Sequence, residues 1–168
     1  MQARMKNPAM VLPGVLPPMM ALAEAVKKGP LGAGLLSLLH LRASQVNGCS
    51  FCVEMAWREA RKEGERDERI FGVTACRESP HFTEAERAAL ALAEAATRLA
   101  DAADPVPDDV WNAAAAHYGE AELAQLVVYV AMTNLWNRLN VTTRQPAGTW
   151  GEPARAREAR PEPAGAAA

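Results

Sequence analysis

The stretch LRASQVNGCSFCVEMAWREARKEG, residues 41–64, decides the fold. It reads as the end of one helix, a tight turn and the start of another. Asn47-Gly48 is the only dipeptide of the hairpin-turn type in the chain. The segments beside it lack the alternating β-branched pattern that a hairpin needs. Upstream, Leu31, Leu35, Leu38, Leu39 and Val46 make one broad apolar face of a helix over residues 31–45. Downstream, a helix opens around Cys49 to Phe51 and runs to Glu63, with Gly64 as its stop.

The same helical reading extends outward. Residues 1–16 look irregular, and Pro17-Pro18 can open a helix that reaches Lys28 before Gly29-Pro30. A short helix is expected over residues 66–76. Thr83 and Glu86 fit a capping box, which starts a helix running to about Ala100. Pro107 suits a first helical position, and that helix should end near Tyr118-Gly119. A last helix is expected over residues 120–140. Beyond Pro146, Pro alternates with Ala, Gly, Arg and Glu, which reads as a disordered tail over about 151–168. One all-α domain over residues 1–150 is the expected organisation.

Composition excludes several classes. A chain of 168 residues can bury a core without disulfide or metal staples. A formal net charge of -2 is not the basic footprint of a general nucleic-acid binder. The most apolar run, Leu123 to Trp136, is too short to cross a membrane and is interrupted by Gln125, Thr133 and Asn134. Residues 1–18 contain four prolines, which break any secretory apolar region, so a cytoplasmic location is the default expectation. No strand precedes Gly32-x-Gly34, so no dinucleotide-binding loop is expected. No cofactor is expected.

The chemistry sits at Cys49-Ser50-Phe51-Cys52. Exposed N–H groups and the dipole at a helix start stabilise a thiolate, the form that attacks peroxides and disulfides. Cysteines at i and i+3 can also close into a disulfide, so one can attack and the other resolve. A dithiol redox centre is therefore preferred over two rivals. A zinc site needs two further ligands, and Cys76, His40, His81 and His117 offer no second pair at ligand spacing. Two buried cysteines acting as small hydrophobes is the plainer rival.

The run from Leu41 to Asp101, with Ser-Gln-x-Asn-Gly-Cys-x-x-Cys at residues 44–52 as its most specific piece, resembles the carboxymuconolactone decarboxylase-like family. More closely, it is similar to the alkylhydroperoxidase D-like branch, as is the run from Asn137 to Gly148. The resemblance covers about residues 1–150. It implies an alkylhydroperoxidase D-like helical bundle that assembles into trimers or hexamers. It also implies peroxidase or thiol–disulfide activity at the cysteine pair, with a small hydroperoxide as substrate and an external thiol as reductant. By the resemblance, Cys52 attacks and Cys49 resolves.

Active members of that branch carry Glu, eleven residues, then Cys-x-x-Cys-x-x-x-His, with Glu and His as a proton relay. This chain has Ser37 at the Glu position and Ala56 at the His position. Neither can act as a general base at neutral pH, and such help is typically worth about 10²–10⁴-fold. Peroxidase turnover is therefore expected to be weak. His40, one turn after Ser37, is a possible substitute base, against the plainer reading of a hydrogen-bonded helix residue. Glu54 points away from the pair and reads as a surface or interface acid. Cys76 reads as a core residue, and Trp57, Trp111, Trp136 and Trp150 as residues that pack the core and interfaces. Two rival functions stand beside the peroxidase: a redox-responsive oligomer that has lost the relay, and a lactone decarboxylase, which has no need of a dithiol.

Overall fold

The structure, a computed structural model, describes residues 2–148. The described residues are helical, with no strand among them. The elements are α1 (Pro8–Val11), α2 (Leu16–Lys27), α3 (Ala33–Val46), α4 (Ser50–Lys62), α5 (Asp67–Gly72), a 3-10 turn (Val73–Ala75), α6 (Glu84–Thr97), α7 (Asp108–Ala115) and α8 (Glu120–Thr143). The expected tail over residues 151–168, and Trp150, lie outside the described residues.

Helix α3 is the centre of the bundle and packs against α4, α6 and α8. Its leucines explain why: Leu38 and Leu39 are fully buried, together with Leu90 and Leu92 of α6 and Leu126 of α8. Each such side chain contributes roughly 1.5–3 kcal/mol on burial. The capping box at Thr83 forms as expected, with Glu86 reaching back to the Thr83 N–H. It fixes where α6 begins. Cys76 is a buried core thiol, also as expected.

Four expectations change. The irregular arm contains the one-turn helix α1, started by the Asn7 side chain, which accepts from the Ala9 N–H at 2.9 Å. The segment after Arg66 is not one helix; α5 stops at Gly72 and tightens into a 3-10 turn. Helix α8 continues past Asn140 to Thr143, and Arg144 ends it in the left-handed conformation at φ 55°. Trp57 and Trp111 do not pack the core of this chain but stand exposed, whereas Trp136 packs against it.

Two polar devices shape the bundle. Gln125 of α8 is buried and clamps the turn between α2 and α3. Its Oε1 accepts from the Leu31 N–H and its Nε2 donates to the Val26 carbonyl, both at 2.7 Å. A Cβ on Gly29 would lie 2.4 Å from the Gln125 side chain, so only glycine leaves room for this clamp. The second device ties the arm to the end of α8. The Arg4 N–H donates to the Thr143 carbonyl at 2.9 Å, and Gln145 Nε2 donates to the Met5 carbonyl at 2.9 Å.

Candidate redox site

The turn between α3 and α4 sets the cysteines. Asn47 caps α3, and Gly48 takes φ +65°, a left-handed conformation that glycine adopts at no steric cost. Cys49 then stands at the N-cap of α4 in extended conformation, and its Sγ accepts from the Cys52 N–H at 3.3 Å. Sulfur thus does the work usually given to a Ser or Asp oxygen. Cys52 lies in the first turn of α4. The two cysteines are joined by a disulfide with Cα atoms 5.3 Å apart. Both are buried, at 1% and 2% exposure.

Helix α8 supplies the surroundings. Asn134, Asn137 and Asn140 recur at spacings of three along it, and all three are buried. Asn47 Nδ2 donates to Asn134 Oδ1 at 2.8 Å and to Asn137 Oδ1 at 2.7 Å. Asn137 Nδ2 donates onward to Ser44 Oγ at 3.1 Å. This network pins the turn that launches α4. Asn140 Nδ2 donates to Cys52 Sγ at 3.3 Å. Sequence reasoning assigned these asparagines no role. The available signal was three asparagines, poor residues for a helix interior, on nearly one face of an otherwise apolar helix.

Ser37 of α3 and Ala56 of α4 are both buried. The Ser37 hydroxyl donates to the Gly34 carbonyl of its own helix at 2.7 Å. Ala56 belongs to the apolar core. His40 makes its hydrogen bond to Glu59 Oε2, through Nδ1 at 3.0 Å. Glu59 lies two turns past Cys52 on α4, about 10 Å along the axis. An acid–imidazole pair is therefore present, with the imidazole on α3 and the acid on α4, the reverse of the family pattern. Burial pushes the Glu59 carboxyl up, but the hydrogen bonds and charges of His40 and Lys27 outweigh it and hold it below its ordinary range. Glu59 and Ser37 share a small cavity of about 130 Å³ with Lys27 and Tyr129. Burial, then the charge of Glu59, pushes the Tyr129 hydroxyl's pKa up, so it stays protonated.

Glu54 takes Arg58 Nη2 at 2.7 Å and the Gly148 N–H. An open, mainly apolar groove of about 580 Å³ runs past the cysteine turn, lined by Gly48, Ser50, Val53, Trp57 and Phe71 among others. Among the described residues, no group of three His, Cys, Asp or Glu side chains is placed to hold a metal ion.

Comparison with known proteins places this architecture. The model of the carboxymuconolactone decarboxylase family matches residues 13–95. The uncharacterized protein YdfG of Bacillus subtilis is 33% identical over 123 residues, 73% of this chain and 82% of that protein. The uncharacterized protein YnjA of Escherichia coli is 31% identical over 122 residues, 72% of this chain and 65% of that protein. A crystal structure from Agrobacterium tumefaciens, of a protein of unknown function named as a candidate antioxidant-defence protein AhpD, aligns with a TM-score of 0.81. It is 34% identical, over 87% of this chain and 98% of that one. The debrominase Bmp8 shares the fold at a TM-score of 0.74 with 19% identity, over 80% of this chain and 72% of its own.

Proposed function

This chain belongs to the carboxymuconolactone decarboxylase family, and we propose that Cys49 and Cys52 serve it as a redox pair that reduces small hydroperoxides at the expense of an external thiol. The observation that carries this reading is the disulfide between Cys49 and Cys52 at the start of α4. A pair that closes with its Cα atoms 5.3 Å apart, within the usual disulfide span, can cycle without rearranging the helix.

The chemistry balances in three steps. The Cys52 thiolate attacks the terminal peroxide oxygen. The O–O bond breaks, and the alkoxide leaves and takes a proton to become an alcohol. Cys52 is then a sulfenic acid. The Cys49 thiol displaces hydroxide from it, forming the disulfide and releasing water. An external dithiol reduces the disulfide and is itself oxidised. Assigning attack to Cys52 follows the family resemblance. Substrate and reductant would approach along the groove beside Gly48 and Ser50, where Trp57 and Phe71 offer apolar contact.

Ser37 and Ala56 set the pace. With no carboxylate or imidazole at these positions, no residue in the usual place delivers the proton to the departing alkoxide. Slow turnover follows, and a redox-responsive role on the same scaffold is the second reading.

Self-association is part of the proposal. Val127, Val128 and Leu135 of α8 and Met20 and Leu22 of α2 are large apolar side chains exposed on this chain. A second copy, as in the family's trimers or hexamers, would cover them. Light scattering at micromolar concentration should give a mass above the 18.0 kDa of one chain.

The test of function is a thiol count on the reduced protein before and after one equivalent of hydroperoxide, followed by a turnover assay with a dithiol reductant. Loss of two thiols per chain, abolished by Cys52→Ser, with measurable turnover supports the peroxidase. Loss of two thiols without turnover selects the redox-responsive reading. No loss of thiols overturns both.

A further inference from the structure

We infer that Asn140 is the hydrogen-bond donor that holds Cys52 as a thiolate, and that the N-terminal arm, through Asn7, dictates which end of the Asn140 amide faces the sulfur. The inference rests on the reading of Cys52 as a redox thiol.

The direction of this chain of hydrogen bonds is set by the backbone. A carboxamide has one accepting end and one donating end. The Ala9 N–H in the first turn of α1 can only donate, and it donates to Asn7 Oδ1 at 2.9 Å. Asn7 Nδ2 is thereby turned outward, and it donates to Asn140 Oδ1 at 2.8 Å. With its oxygen engaged, Asn140 presents Nδ2 to Cys52 Sγ at 3.3 Å in the disulfide form, so the same N–H faces the sulfur when reduction frees the Cys52 thiolate. Every step is forced by the one before it. A backbone N–H in α1 thus fixes an N–H on the sulfur through two side chains, one of them buried at 4% exposure.

The arm is held in place for this task. The Arg4 N–H bonds to the Thr143 carbonyl and Arg4 Nη1 to the Thr142 carbonyl at 3.0 Å, while Gln145 reaches back to Met5. Asn7 is therefore tied to the same end of α8 that carries Asn140.

Several charged groups on the elements around Cys52 bond to other partners. On α4, Glu54 binds Arg58 and Glu59 binds Lys27 and His40 of α2 and α3. On α8, Arg138 Nη1 donates to the Asn134 carbonyl at 3.3 Å. Arg4 of the arm is on Thr142. The donor on Cys52 is thus a neutral amide. A hydrogen bond to the charged form of a group lowers the pKa of an acid, and one to an ionised partner is about twice as strong as a neutral one. Asn140 supplies the stabilising half of what a His at residue 56 would give. It holds the thiolate but transfers no proton to the alkoxide.

The test measures the Cys52 thiol directly, in protein carrying Cys49→Ser and Cys76→Ala so that Cys52 is the only thiol. Thiolate absorbance near 240 nm is followed against pH, with circular dichroism to check the fold. Asn140→Ala should raise the Cys52 pKa by about one unit, the size of a single charge-assisted hydrogen bond. Asn7→Asp is the sharper probe. Aspartate keeps the cap on Ala9 but can only accept, so it takes the Asn140 amide N–H and turns its carbonyl toward Cys52. That variant should fold normally and raise the Cys52 pKa by more than Asn7→Ala does. The excess should vanish beside Asn140→Ala, whereas a through-space effect of the aspartate charge on the buried sulfur would remain.

An unchanged titration in both Asn140→Ala and Asn7→Asp overturns the inference, whatever the turnover. Shifted titrations support it even in a protein that fails to reduce hydroperoxide, an outcome that would remove the peroxidase reading alone.

Discussion

Asn47 Nδ2 donates to Asn137 Oδ1 across 2.7 Å and 90 positions of sequence, so the turn that carries Cys49 is fastened to the middle of α8. Asn137 passes the bond on to Ser44 Oγ at 3.1 Å; Asn137 and Ser44 are buried and Asn47 is half-buried. The cysteine pair is therefore held by a helix, α8, that its own motif does not contain. Asn137→Ala would leave the buried Ser44 hydroxyl without its amide donor and remove one of the two acceptors of Asn47 Nδ2. We expect a loss of about 1–3 kcal/mol, which for a domain of this size lowers Tm by several degrees. Thermal unfolding measures it, and hydrogen exchange should show faster opening over residues 47–52.

Thiol counting separates the three cysteines. Cys49 and Cys52 share a bond, while Cys76 is a buried free thiol. Oxidised protein unfolded in denaturant should titrate one thiol per chain, and reduced protein should titrate three. Mapping the oxidised protein by mass spectrometry should find residues 49 and 52 joined and residue 76 free.

Restoring the relay should raise peroxidase turnover at a cost in stability. Ala56→His places an imidazole one turn from Cys52, and Ser37→Glu returns a carboxylate to position it. The double variant should gain more turnover than the two single variants combined, because such groups act as a unit. Ala56 is fully buried, so the added ring must push core neighbours aside, at about 1–3 kcal/mol. Ser37→Glu also puts a second carboxylate beside Glu59, in a cavity where Lys27 offsets it. Rapid turnover by the unmodified protein would refute the relay argument, and His40→Ala would then be the variant to abolish it.

Acid should weaken the fold through three carboxylates. Burial pushes Glu59, Glu86 and Glu94 up. The bonds and charges of His40 and Lys27 on Glu59, Arg69 on Glu86 and Arg42 on Glu94 outweigh burial, so all three lie below the ordinary 4.5. A carboxylate lowered in the folded state stabilises it above the unfolded value. That contribution is lost as pH falls below about 4.5 through the lowered folded values. Tm should therefore fall on acidification across that window. Glu94→Gln, which breaks the Arg42 ion pair at 2.6 Å, should lower Tm at neutral pH and flatten its acid dependence.

Gln125→Ala tests the clamp on the α2–α3 turn. It strands the Leu31 N–H and takes one donor from the Val26 carbonyl, which keeps the Gly29 N–H at 3.2 Å. We expect a lower Tm from a cost of about 1–3 kcal/mol. Gly29→Ala should be destabilising in the native protein and less so beside Gln125→Ala, because the clash it creates is with that side chain.

The longer helices, the Asn47-Gly48 turn, the Thr83–Glu86 cap and the cysteine pair were legible in the sequence, because each is a local event. Apolar spacing along a helix, a glycine that takes positive φ and a cap three residues from its partner lie within one or two turns of chain. The departures from the relay pattern at Ser37 and Ala56 were legible for the same reason. The asparagines were not. Asn134, Asn137 and Asn140 read as interruptions of an apolar helix, and Asn7 as part of an irregular arm. Their meaning depends on partners about 90 to 130 positions away, and on which end of each amide those partners leave free. His40 belongs with them: its spacing suggested a substitute base, but its acid partner Glu59 is seen only when α3 packs on α4. Local geometry follows from neighbours in sequence, but the direction of a buried hydrogen bond is decided only when folding brings a donor and an acceptor together away from water.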